Sequence, residues 1–290
     1  FGSGPVSIED PSARIAELRL RKSKHEIAQM RFASEVSSYA HIAAMRHSKP
    51  GRMEYQFQST IEGFFVYAGT SGWAYPSIVG CGENATILHY KENNDACEDG
   101  EIILIDAGAE FRGYAADITR SWPINGRFTD AQKEIYQLVL DSQYAAIDHC
   151  RVGQPYTAPH DAARKVLAEG LVRLGITNQT VEEALDMEHG DLRKWYMHNT
   201  SHWIGLDVHD VGIYKPNGEP RLLEEGMCLT IEPGLYFGAW RPDVDCPERY
   251  ANIGIRIEDD VLVTSGEPDV LTSSCPKTVE EIESITCQPF

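Results

Sequence analysis

Apolar positions along the chain change from helical to strand spacing twice, and these changes divide it into two similar halves. Between Ser23 and Pro50, the residues Ile27, Met30, Val36, Ala40, Ala43 and Ala44 approximate one helical face. Ser23, with Glu26 three residues on, forms a capping box that starts this helix, and Pro50 with Gly51 stops it. Residues 53–67 read either as a second helix or as a mixed segment, because Gly63 precedes the aromatic run Phe64, Phe65 and Tyr67. Residues 85–90 alternate as a strand with His89 near its end, and 101–107 and 114–119 read as the arms of a β-hairpin. The order then repeats. Thr129 and Gln132 cap a helix with Ile135, Leu138, Val139, Ala146 and Ile147 inward, a helix over 158–174 is closed by Gly175, and a short one follows Thr180. Strands are predicted over 227–232, 235–237 and 253–263. Helices followed by strands, twice, around one sheet predict an α+β fold. Residues 1–20, with Gly2, Gly4, Pro5 and Pro11, read as an exposed lead-in.

The hairpin carries the first candidate chemistry. With its turn between Phe111 and Arg112, Asp106 and Asp117 stand directly opposite each other. Opposed side chains lie roughly 4.5–5.5 Å apart at Cβ, where two carboxylates repel unless a cation sits between them. A register shifted by one would instead turn one aspartate to solvent. His89 lies one connection away, either bonding a backbone group at a strand end or facing the same site.

Composition narrows the partners. A chain of 290 residues, 42% hydrophobic, can bury a large core, and its net charge of −18 argues against nucleic acid and anionic membranes. The acidity favours cations and substrates with a free amine. Seven cysteines (Cys81, Cys97, Cys150, Cys228, Cys246, Cys275, Cys287) with no CxxC spacing read as reduced thiols and predict a cytoplasmic location. No run of 18 apolar residues predicts a membrane span. The opening FGSGP, without Met, reads as a linker remnant left after loss of an N-terminal part. The expected division is a linker over 1–15 and a catalytic domain over 16–290.

Three later segments hold further ligand-type residues. HNTSHWIGLDVHD places His198, His202 and His209 within twelve residues, and LTIEPG ends a buried strand on Glu232. In IGIRIEDD, Ile253, Ile255 and Ile257 alternate with Gly254, Arg256 and Glu258, so Arg256 and Glu258 share the face opposite the isoleucines. A carboxylate on an apolar strand needs a partner, and for Glu258 that is either Arg256 or a cation. Asp106, Asp117, His202, Glu232 and Glu258 together make an oxygen-rich set with one nitrogen. Such a set suits Mn²⁺, Co²⁺ or Mg²⁺ better than structural zinc. Asp117 and Glu258 as bridges would hold two ions about 3.5–4 Å apart, with a hydroxide between them as nucleophile.

LIDAG with YAADITR, SHWIGLDVHD, LTIEPGLY and NIGIRIEDD resemble the dinuclear-metal pita-bread peptidases, most closely the Xaa-Pro aminopeptidases, with prolidases and methionine aminopeptidases as relatives. The resemblance spans about 16–285. It implies the pita-bread (creatinase/aminopeptidase) fold: pseudo-symmetric halves and a curved, mainly antiparallel sheet covered by helices. It implies that Asp106, Asp117, His202, Glu232 and Glu258 ligate two divalent ions, most often Mn²⁺ with Co²⁺ or Zn²⁺ as alternatives, Asp117 and Glu258 bridging. It places His89, His198 and His209 in the substrate cleft, gives Glu232 a proton-carrying role, and sets Arg256 and Tyr236 in support of Asp106. The implied substrates are peptides with proline second, cut before that proline by the bridging hydroxide. The family pattern also implies a separate N-terminal domain and a homo-oligomer, dimer or tetramer, of the full-length form. Asn199 and Thr200 depart from the glycine and apolar residue that relatives often carry between the two histidines.

Two rivals stay in view. A prolidase would share all five ligands, and a non-catalytic peptide-binding module of the same fold would be expected to lack one or more. A metal-free amidine hydrolase on this fold would not need the paired aspartates.

Overall fold

The computed structural model of the chain describes residues 10–287. The lead-in expected over 1–20 lies partly outside these residues; within them, α1 (Ser12–Leu20) is a regular helix that Pro11 precedes at the N-cap, where it obstructs nothing. Capping boxes at Ser23 and Thr129 start α2 (Lys24–Arg46) and, in the second half, α4 (Asp130–Asp148), as predicted. The ambiguous segment 53–67 is a helix, α3 (Glu54–Tyr67). Phe57, Ile61 and Phe65 form its buried stripe, and Gly63 meets open space. The remaining helices are α5 (Ala158–Arg173), α6 (Val181–Ala184), α7 (Leu192–Trp195) and α8 (Val279–Ile285).

The strands are β1 (Gly72–Trp73), β2 (Ile78–Cys81), β3 (Ile102–Asp106), β4 (Ala109–Phe111), β5 (Tyr114–Ala115) and β6 (Thr119–Pro123) in the first half. The second half holds β7 (Cys228–Ile231), β8 (Gly234–Tyr236), β9 (Gly254–Arg256), β10 (Asp259–Leu262) and β11 (Asp269–Val270). Every ladder among them is antiparallel: β1–β4–β5, β2–β3–β6, β11–β10–β7 and β8–β9. Each half has its own core. Phe57, Ile61 and Phe65 pack with Val79, Ile103 and Ile105 in the first; Ile135, Leu138, Leu167 and Leu171 pack with Leu235, Ile255 and Ile257 in the second.

Four further expectations are corrected. The alternation over 85–90 is not a strand: Gly82–Thr86 is a 3-10 helix, and His89 follows it in a turn, because only Ala85, Thr86 and Tyr90 of that stretch are buried. The predicted strand 253–263 breaks between β9 and β10, at Ile257 and Glu258. Cys81 and Cys97 are joined as a disulfide, with Cα atoms 5.3 Å apart, so these two are not reduced thiols; Cys150, Cys228, Cys246, Cys275 and Cys287 are free. The hairpin register differs by two residues. Its turn is Arg112-Gly113, both with positive φ (52° and 86°), which is the geometry of the two-residue turns whose twist matches the strands. Asp106 therefore pairs with Thr119 rather than Asp117.

No helix among the described residues is long and apolar enough to cross a membrane.

Candidate metal centre

A shift of two residues keeps a side chain on its face of the sheet, so Asp106 and Asp117 still converge. Gly108 makes this possible: a Cβ there would lie 1.8 Å from the Ala116 carbonyl oxygen, and the Ala107 N–H donates to Ile118 O at 3.0 Å beside it. The Tyr75 hydroxyl sits between the two carboxylates, bonding Asp106 Oδ1 at 2.6 Å and also Asp117 Oδ1. From the second half, Arg256 Nη2 reaches Asp106 Oδ2 at 2.7 Å, its Nε donates to Thr119 Oγ1 at 3.0 Å and its Nη1 to the Tyr236 hydroxyl at 3.0 Å. Arg256 is thus engaged with Asp106, and Glu258 instead accepts the Thr119 hydroxyl.

His202 and Glu232 are placed by a comparable device. The segment 200–204 runs antiparallel to β7: Thr230 N–H donates to His202 O at 3.0 Å and Glu232 N–H to Thr200 O at 2.8 Å. His202 Nδ1–H donates to the Trp203 carbonyl at 3.1 Å, which orients the ring so that Nε2 points into the cleft. Nε2 lies 3.4 Å from Asp117 Oδ2 and 3.6 Å from Glu232 Oε1. One imidazole nitrogen and two carboxylates converging on one point make a donor set that a divalent cation fits. Ligand atoms of Asp117, His202 and Glu258 all lie within 4.8 Å of one another, which fits a shared ion.

The electrostatics agree. Burial, reinforced by Asp106 and Asp260, pushes the Asp117 carboxyl well above the usual range. Burial, with Asp117 and Glu232 nearby, does the same to Glu258. Burial also raises Glu232, against the pull of His202 and Arg256. Carboxylates that resist ionising together without a counter-charge are suited to a site that supplies one.

These groups line a cleft of about 570 Å³. His89, His198 and His209 line it too, His89 from the turn after the 3-10 helix. The His209 ring lies edge-on to His202 with centroids 4.4 Å apart. His198 Nδ1–H donates to Asn199 O at 2.8 Å and lies 3.5 Å from Glu232 Oε2, while its Nε2 accepts from the Tyr236 hydroxyl at 2.8 Å. Burial pushes His198 down to about 3, so its ring is neutral. All nine side chains singled out in the sequence as catalytic or ligating reach this cleft.

Three contributors were missed. Tyr75 lies in an irregular segment with no period to mark it. Thr119 looked like an ordinary strand residue. Asp260, fully buried, accepts the Asp117 N–H at 3.0 Å, while its Oδ1 is without a hydrogen-bond partner among the described residues. Its only sequence signal was the doubled acid in IEDD, which also contains Asp259, held by Arg120 and Lys277.

The sequence matches the model of Metallopeptidase family M24 over residues 28–265. It is 44% identical over 283 residues to the Xaa-Pro aminopeptidase of Escherichia coli, covering 98% of this chain and 63% of that one. It is 42% identical over 271 residues to the Xaa-Pro aminopeptidase of Haemophilus influenzae, covering 93% and 62%. The structure of Pseudomonas aeruginosa aminopeptidase PepP superposes with a TM-score of 0.90 at 47% identity, over 94% of this chain and 61% of that one. The fold is therefore the pita-bread fold, and the chain spans less than two thirds of the length of these relatives.

Proposed function

Because this chain belongs to metallopeptidase family M24, we propose that it is the catalytic part of a metal-dependent Xaa-Pro aminopeptidase, releasing an N-terminal residue that precedes proline. The observation that carries this reading is the convergence of His202 Nε2, Asp117 and Glu232 in a cleft that also holds Asp106 and Glu258. Held by these five residues, two divalent ions, Mn²⁺ in this reading with Co²⁺ or Zn²⁺ as alternatives, would supply Lewis-acid polarisation and an activated water.

The chain's own groups then have distinct tasks. Glu232, whose carboxyl burial raises above its ordinary value, takes the water's proton at one oxygen and hands it to the leaving imino nitrogen. His198 borders Glu232, 3.5 Å from its Oε2; both its nitrogens are committed, so His209 is the better donor to the developing oxyanion. His89 borders the substrate side of the cleft. Arg256 and Tyr236 fix Asp106. The scissile nitrogen carries no N–H, so proline is selected by shape rather than by a strand-type hydrogen bond.

Peptides with proline second are the proposed partners, with self-association of the full-length protein as dimer or tetramer. A cytoplasmic location is supported by the five free thiols, three of them buried, and opposed by the Cys81–Cys97 disulfide. Measuring Mn²⁺-dependent release of the first residue from an Xaa-Pro-Yaa tripeptide and from the matching Xaa-Pro dipeptide tests the activity. Tripeptide cleavage with little dipeptide cleavage is expected. Preference for the dipeptide would make the protein a prolidase, and no cleavage of either by the metal-loaded protein would favour a peptide-binding module.

A further inference from the structure

Glu54 is fully buried in the first turn of α3, and among the described residues it makes no ion pair. Its two oxygens instead accept four hydrogen bonds. Oε1 takes the Cys81 N–H at 2.8 Å and Asn84 Nδ2 at 3.0 Å; Oε2 takes the Tyr90 hydroxyl at 2.9 Å and the Asp95 N–H at 3.0 Å. The Glu54 N–H also donates to Asp95 O at 2.9 Å. All four donors belong to one loop, 81–95, and that loop carries His89 into the cleft beside Tyr90. The loop's ends are tied by the Cys81–Cys97 disulfide.

Burying a charge without a counter-ion is unfavourable, and an apolar residue would serve the core better. A carboxylate is the one side chain here that accepts on both sides; an amide would set its NH₂ against two of the donors. The helix N-terminus adds a favourable field. With every donor drawn from the His89 loop, the group's work is to fix that loop's path.

We propose that Glu54 is a positioning residue that acts through His89, holding the loop 81–95 so that His89 meets substrate. The proposal rests on the peptidase reading for its effect on turnover but not for its effect on the loop. Two measurements on the metal-loaded protein test it. The first is amide hydrogen exchange in Glu54→Gln and in the milder Tyr90→Phe, which removes one of the four donors. Exchange is expected to quicken within 81–95 and stay unchanged elsewhere; unchanged exchange in that loop overturns the proposal whatever the activity. The second is turnover in Glu54→Gln, His89→Ala and the double variant. Glu54→Gln should lower kcat about tenfold or more with metal content unchanged, and should cost less than about twofold further once His89 is already alanine. A full repeat of the loss in the double variant would make Glu54 merely structural. Failure of the peptidase reading shows separately, as a wild-type protein that binds metal yet leaves Xaa-Pro peptides intact, and the exchange measurement then decides.

Discussion

Glu258 and Thr119 join the two halves of the chain by side chain and backbone at once. The Thr119 hydroxyl donates to Glu258 Oε2 at 2.6 Å, and the Glu258 N–H donates to Thr119 O at 3.0 Å. Arg120 Nη1 grips both carbonyls, at 3.0 Å and 2.6 Å, while its Nη2 pairs with Asp259 at 2.7 Å. The carboxylate is therefore held in place before any ion arrives. Glu258→Gln keeps this shape and removes the charge. The expected result is an apparent metal affinity lower by about tenfold or more, with the metal-free protein at least as stable as wild type. Elemental analysis after equilibration with Mn²⁺ checks it, and unchanged metal content would refute a bridging role for Glu258.

The Cys81–Cys97 disulfide encloses a loop of sequence separation 16 that holds Glu83, Asn84, His89 and Tyr90. Closing a loop of that length stabilises a fold by about 3 kcal/mol, largely by restricting the unfolded chain. Reduction, or the double variant Cys81→Ala/Cys97→Ala, should lower the free energy of unfolding by about that amount. Denaturant titrations with and without reductant measure it. A midpoint that does not respond to reductant would show that the two thiols are not bonded in the protein.

The capped helices and the strands β3, β7, β8, β9 and β10 were legible because their signals are local: Ser23 with Glu26, Thr129 with Gln132, and isoleucines every second residue around Arg256. The candidate ligands stood out for a similar reason, as polar residues at the ends or interruptions of apolar runs, and the fold brings them to one cleft. The hairpin's register was not, because Arg112 takes a positive φ that its residue type does not advertise. The error was one of two residues, which moves side chains along the sheet without turning them over, so the pairing of Asp106 with Asp117 was wrong while their convergence was right. Tyr75 was illegible for a different reason. It stands 31 and 42 residues from the two aspartates it bonds, and only the tertiary fold brings them together. Glu54 likewise reads as an ordinary first-turn glutamate until the loop 81–95 closes over it.

The raised carboxyls of the cleft fix the sign of a pH effect. Asp117 and Glu258 sit well above their ordinary values, chiefly through burial, and burial pushes Asp260 up to about 7. A carboxyl raised in the folded state binds more protons there than in the unfolded chain between the two values. Its contribution to stability is thus present at low pH and lost as pH rises through the folded value. A bound cation replaces those protons, so the stabilisation it gives must grow over the same window. His41 has the opposite sign: burial pushes it down to about 4, and it destabilises the fold as pH falls below about 6.5. That term is common to metal-free and metal-loaded protein and cancels in their difference. The increase in Tm on saturating with Mn²⁺ should therefore be larger near pH 7 than near pH 5, and Glu258→Gln should flatten that dependence. Paired thermal melts at the two pH values check it. An equal increase at both would mean that the ions do not displace protons from these carboxyls, and would remove the electrostatic argument for the site.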